Sequence, residues 1–105
     1  MPTESYIFHG QRFNWDADKG LSNIEKHGIP FKEAATVFGD DRAVVLDDEG
    51  HSQDEERFKI IGLSGKLRLL MVCHCYRDYD SVIRIISARK ATKQEQTQYG
   101  RQKHE

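Results

Sequence analysis

The hydrophobic period of this chain changes near Arg42, from helical to strand-like, and that change sets the order of its main parts. Phe31, Ala34, Ala35 and Phe38 fall at i, i+3, i+4 and i+7, with Pro30 placed to open a helix and Gly39 to close it. Upstream, Ala17, Leu21 and Ile24 make a narrow apolar stripe on an earlier helix, with Asp16 as N-cap and Gly28 as its stop. After Arg42 the apolar residues come in short runs: Ala43 to Leu46, Arg57 to Leu63, Leu67 to Tyr76 and Val82 to Ala88. Ser64-Gly65-Lys66 joins the second run to the third as a hairpin, and Arg12 to Trp15 alternates as a short strand ahead of the helices. Thr92-x-x-Glu95 is a capping box opening a C-terminal helix that is nearly all polar, with Tyr99 as its large anchor.

The order predicts an α+β fold: an antiparallel sheet of four to five strands with two N-terminal helices and a C-terminal helix. The helices are expected on one side, leaving the other sheet face for a ligand. Residues 1–11 read as a leader with a candidate edge strand at Tyr6 to Phe8, and 12–105 as a single domain. At 105 residues there is room for one modest core, and 37% hydrophobic with 31% charged residues is ordinary for a globular chain. No run approaches the ~18 apolar residues of a membrane span, and Met1 to Gln11 lacks the pattern of a secretory signal. Cys73 and Cys75 would share a strand face with Cα atoms roughly 6.6 Å apart, near the limit for a disulfide. They read as reduced thiols, which excludes a disulfide scaffold and fits a cytoplasmic location.

The net charge of −1 conceals an asymmetry. Residues 1–56 hold 5 Lys+Arg against 13 Asp+Glu, and residues 57–105 hold 11 against 4. A basic face for an anion such as nucleic acid follows, although a pI near 6.5 excludes a general polycation. Arg57 and Lys59 would share one strand face, Arg68 and His74 one face of the next, and Arg84, Arg89 and Lys90 follow on the last strand. These cations are candidates for anion binding, with protection of a sheet edge as the structural alternative. His27, at the end of the first helix beside Lys26, and His74 are candidates for proton transfer, while His9, His51 and His104 read as bystanders. Cys73-His74-Cys75 alternates faces, so a metal site there is not expected. The acidic stretch Asp47 to Glu56 lacks a spaced cation-loop pattern and reads as a solvated loop, with Glu56 held by its place beside Arg57. There is no Gly-rich phosphate loop, nucleophile elbow or CxxC pair.

Several strings together resemble the BrnT family of type II toxin–antitoxin toxins. They are Phe13-x-Trp15-Asp16, Asn23-x-x-Lys26-His27-Gly28-x-x-Phe31-x-Glu33-Ala34-Ala35-x-Val37-Phe38, Glu56-Arg57-Phe58-x-x-Ile61-Gly62-Leu63-Ser64 and Arg68-x-Leu70-x-Val72. The most specific is Arg84-Ile85-Ile86-Ser87-Ala88-Arg89-Lys90-Ala91-Thr92-x-x-Glu95-x-x-x-Tyr99. The resemblance implies a RelE-like microbial ribonuclease fold and RNA cleavage that shuts down translation. It also implies a BrnA-like antitoxin with a ribbon-helix-helix part that neutralises the toxin and alone contacts operator DNA. RNA, ribosome-bound mRNA included, is the expected substrate, with no cofactor and no metal. For cleavage through the ribose 2′-OH, Arg84 and Arg89 are expected on the phosphate with Arg57 in support. His27, His74 or Glu56 would transfer protons, Tyr99 would assist, and Lys26, Lys59, Arg68 and Lys90 would hold the substrate. A non-catalytic RNA- or protein-binding module, or a metal-dependent nuclease built on the acidic loop, would also fit the charge pattern.

Overall fold

The structure, a computed structural model, describes residues 2–48 and 55–101. Most of the acidic stretch (49–54, with His51) and His104 lie outside those residues. The elements run β1 (Thr3–Phe8), β2 (Gln11–Asp16), α1 (Ala17–His27), α2 (Phe31–Thr36), a 3-10 turn at Val37–Gly39, β3 (Val44–Asp47), β4 (Phe58–Leu63), β5 (Leu69–Arg77), β6 (Val82–Lys90) and α3 (Lys93–Arg101). Among the described residues no helix is long and apolar enough to cross a membrane.

The fold is α+β, but its sheet has six strands in the order β1-β2-β6-β5-β4-β3, not the four to five antiparallel strands expected. Two local causes account for the difference. Thr3–Phe8 pairs along its whole length with β2, the chain reversing through His9 and Gly10, both at positive φ (50° and 81°). That is the geometry of a tight two-residue hairpin. β1 lies at the sheet edge and is exposed along most of its length, so no alternation marks it in the sequence. β2 then pairs in parallel with β6 through Arg12↔Val82, Phe13↔Ile83 and Asn14↔Arg84, while β3 to β6 form an antiparallel meander. Parallel neighbours need a long crossover, here the helices and the meander together, and runs of strands do not reveal such a partner.

The helices also lie on both faces. Phe13, Trp15, Ile29, Phe31, Ala34, Val37, Ile60, Leu70, Val72 and Ile85 form the main core, where α1 and α2 meet the sheet. On the opposite face Ile61, Met71 and Ala91 are covered by Leu46, Leu69 and Tyr99, so α3 occupies part of the face expected to be free. Tyr99 is the anchor expected of it.

The apolar stripe of α1 does not face the core. Leu21 is 66% exposed and Ile24 44%, whereas Gly20 and Asn23 are buried. A Cβ at residue 20 would lie 3.2 Å from the Trp15 indole, so Gly20 lets the helix seat on that ring. Asn23 takes the place of a neighbouring strand where β2 has turned away from β6. Its Nδ2 donates to the Ala88 carbonyl (2.8 Å) and to the Ile29 carbonyl (2.9 Å), and its Oδ1 accepts from the Ala88 N–H (3.1 Å). Pro30 caps α2 rather than opening it, and Phe38 lies in the 3-10 turn beyond the helix.

Candidate RNA-cleaving face

Register places the basic residues in rows across the sheet. Antiparallel partners share a face, so Cys75 and Arg84 lie together, and the parallel pair Arg84↔Asn14 extends the row to β2. Phe58 pairs with His74 and lies with it on the α1/α2 face. One residue back, the same alternation sets Arg57 beside Cys75 on the α3 face. A row Cys75, Arg84, Asn14 therefore crosses β5, β6 and β2, and Arg57, the residue before β4, extends it. The next holds Lys59, Cys73 and Ser87, and the third Ile61, Met71 and Arg89. Between Cys73↔Ser87 and His74↔Ile85 the register slips, leaving Ile86 as an extra residue on β6, a bulge beside the row.

Carboxylates then sort the arginines. Arg68 pairs with Glu33, which also accepts from the Ser64 hydroxyl (2.7 Å). It lies in the turn before β5, where it ties that turn to α2 and shares no basic face with His74. Arg77 pairs with Glu55 and donates to the Cys75 Sγ (3.3 Å). Arg89 is held in a fork by both oxygens of Glu95 (2.8 and 3.0 Å), the same carboxylate that accepts from the Thr92 N–H in the capping box. The Arg89 contact holds Glu95 below the usual carboxylate range against the opposing pull of burial. Arg84 differs: it is half-buried, and its Nη1 donates to the neutral Oδ1 of Asn14 (3.2 Å). Arg57 is half-buried too, and its Nε has no hydrogen-bond partner among the described residues. Lys59 and the exposed Lys90 have no ion pair among them either.

A second basic feature adjoins the bulge. A cleft of about 240 Å³ between α1 and β6 is lined by Lys19, Ser22, Lys26, His27, Ile86 and Ser87. It brings the expected Lys26 and His27 together with a β6 residue, Ser87, that lies on the same sheet face as Arg84.

The other proton-transfer candidates lie elsewhere. His74 is fully buried on the α1/α2 face among Phe38, Phe58 and Tyr76, with ring centroids 4.8 to 6.0 Å apart. Its Nδ1 is 3.2 Å from the Val72 carbonyl, its Nε2 has no partner among the described residues, and burial holds its pKa below the usual imidazole value. Glu56 is exposed and lines a different pocket, of about 350 Å³, with Glu55, Phe58, Tyr76 and Asp80. Tyr99 donates to Asp40 (2.7 Å), and burial with that carboxylate pushes its phenol up to about 12. Cys73 and Cys75 are buried free thiols, Cys73 pushed up to about 11 by burial and by Asp48. Among the described residues no group of three or more His, Cys, Asp or Glu side chains is placed to hold a metal ion.

The sequence pattern brought forward Arg57, Lys59 and Arg84 but passed over Asn14, Lys19 and Ser87. Asn14 had one signal: it is the polar position of the Phe13-Asn14-Trp15 alternation, and such a residue must face away from the core.

The family profile described as a ribonuclease toxin, BrnT, of type II toxin–antitoxin systems matches residues 15–95. The crystal structure of the Brucella abortus ribonuclease toxin BrnT is similar, with a TM-score of 0.56 and 25% identity, over 75% of this chain and 94% of that one. No curated protein matches. The matched span runs from the core indole of Trp15 to the Glu95 that holds Arg89, and covers Arg57, Arg84 and the α1–β6 cleft: the chain belongs to the BrnT family of ribonuclease toxins of type II toxin–antitoxin systems.

Proposed function

We propose that this chain is a metal-independent endoribonuclease that cuts RNA, ribosome-bound mRNA included, and thereby inhibits translation in the cytoplasm. The observation that carries this reading is Arg84, held by a neutral amide in a row with Arg57 and carrying a charge that no carboxylate among the described residues pairs with. A planar, permanently charged guanidinium suits a phosphodiester whose charge grows as a fifth oxygen approaches phosphorus. In the reaction a base takes the proton of the ribose 2′-OH and the 2′-oxygen bonds to phosphorus. The P–O5′ bond breaks, and an acid protonates the departing oxygen, leaving a 2′,3′-cyclic phosphate and a 5′-hydroxyl.

Arg84 and Arg57 stabilise the phosphorane charge, and Lys59 and Lys26 hold the neighbouring backbone. His27, on the cleft beside Ser87, is the proton-transfer group that this geometry favours. His74 and Tyr99, one buried on the far face and the other bound to Asp40, are assigned structural parts. Glu56 lines another pocket, and Arg68 and Arg89 are neutralised by their glutamates. Type II membership implies a protein antitoxin. In this reading it is BrnA-like, covers the cationic face to neutralise the toxin, and contacts operator DNA through its own ribbon-helix-helix domain.

The test is incubation with labelled RNA in excess EDTA, alone and on translating ribosomes, beside Arg84→Ala and His27→Ala. Parental cleavage with loss of about a hundredfold or more in folded Arg84→Ala is expected. Full-rate cleavage by that variant overturns the assignment. Cleavage that chelation abolishes overturns metal independence, and a gel shift without products marks a binding module instead.

A further inference from the structure

Arg84 has a partner of unusual kind. Among the described residues the other arginines hydrogen-bonded to a side-chain oxygen, Arg68, Arg77 and Arg89, each meet a carboxylate. Arg84 meets the carboxamide of Asn14, and the two residues are register partners on adjacent parallel strands, β2 and β6. The side chains share a face and a row, so the contact is built into the sheet. An amide oxygen fixes the direction of a guanidinium, as a carboxylate does, but leaves its full positive charge for another ligand. A carboxylate in the same place would cancel that charge and compete with an incoming phosphate.

We propose that Asn14 is a positioning residue for RNA cleavage: it aims Arg84 at the phosphodiester, and its neutrality keeps Arg84 free to bind it. The proposal rests on the assignment of Arg84 to the phosphate. It explains why β2 must pair with β6 in parallel at this point, since that pairing delivers the amide to the guanidinium. It also separates two properties that a merely structural residue would hold together. Asn14→Asp converts the contact into an ion pair at the same separation, so the folded protein should be at least as stable as the parent. Its RNA chemistry should nonetheless suffer. Asn14→Ser, which shortens the side chain but retains an oxygen without charge, should fall between the parent and Asn14→Ala.

The experiment compares the parent, Asn14→Asp, Asn14→Ala, Asn14→Ser and Arg84→Ala by thermal melting, by cleavage of labelled RNA in EDTA and by RNA affinity across a salt series. Asn14→Asp is expected to melt at or above the parental temperature and to lose about tenfold or more in cleavage. Its plot of log affinity against log salt should be shallower by about 0.7, the signature of one lost phosphate contact to a single strand. Asn14→Ala should keep the parental salt slope, because the charge remains, while losing several-fold in kcat through misdirection. Parental cleavage and parental slope in folded Asn14→Asp overturn the proposal while leaving the role of Arg84 standing, provided Arg84→Ala is inactive. Full activity in Arg84→Ala overturns both. If Asn14→Asp melts early, the order of Asn14→Ser and Asn14→Ala decides: parental cleavage in both refutes a positioning part.

Discussion

Glu33 shows how one buried carboxylate organises its surroundings. It is 5% exposed, accepts from the Ser64 hydroxyl and receives the Arg68 guanidinium, so α2 is tied to the β4–β5 turn. The Arg68 contact lowers its pKa despite burial. A carboxyl whose folded pKa lies below its unfolded one stabilises the fold fully above the unfolded value, and that stability is lost as pH falls through the folded one. Glu33→Gln should therefore lower the urea midpoint at pH 7, because the solvent-facing Arg68 loses its counter-charge and the buried Ser64 contact loses its charged acceptor. Urea midpoints of parent and variant should converge as the pH falls below the ordinary carboxylate range and Glu33 itself takes up a proton. A gap that persists there would show that shape, not charge, carries the contact. The motif reading contained both Glu33 and Arg68, yet assigned Arg68 to the substrate. Sequence shows that a cation is present on or near a strand, but whether a carboxylate from a distant element reaches it depends on the folded path.

Elements were easier to find than to orient. α1 and the meander β3–β6 are evident from period and turn residues, because those signals are local. The facing of α1 is not, since its buried side contains Gly20 and Asn23 rather than the apolar stripe of Leu21 and Ile24. Hydrophobic periodicity assumes that a helix meets a core through apolar side chains, whereas here it meets a strand edge through hydrogen bonds. β1 was legible only in part, as a candidate edge strand at Tyr6 to Phe8, for a related reason: an exposed edge strand has little alternation to show. That edge role of Asn23 predicts a specific failure. Asn23→Leu leaves the Ala88 N–H and two carbonyls unpaired in a buried place, at about 3 kcal/mol in total. Amide exchange at Ala88 should accelerate well beyond that of amides paired between β4 and β5. Uniform acceleration across the sheet, or none, would show that α1 does not act as the missing strand.

Across the whole molecule, the sheet order places strands of the basic half, β4, β5 and β6, inside those of the acidic half, β1, β2 and β3. The cations thus gather on central strands, and the sequence asymmetry becomes a spatial one. The same arrangement sets the response of the molecule to acid. Carboxylates held below their usual range, Glu33, Asp40, Glu55 and Glu95, lose their stabilising charge only at low pH. His74 acts earlier. Buried among Phe38, Phe58 and Tyr76, it is held below the ordinary imidazole value near 6.5, so below that pH the unfolded chain takes up a proton that the folded chain refuses. Stability then falls as pH drops, by up to about 1.4 kcal/mol per pH unit, until the folded pKa is reached. Acid unfolding should show two stages, a first decline below pH 6.5 and a second in the carboxylate range. His74→Phe retains the aromatic packing and removes the titrating ring. Its stability, from urea midpoints measured between pH 7.5 and 5, should be flatter than that of the parent, with the second stage unchanged. Equal slopes for parent and variant across that window would mean that another group supplies the first decline, and that the buried ring accepts its proton in place.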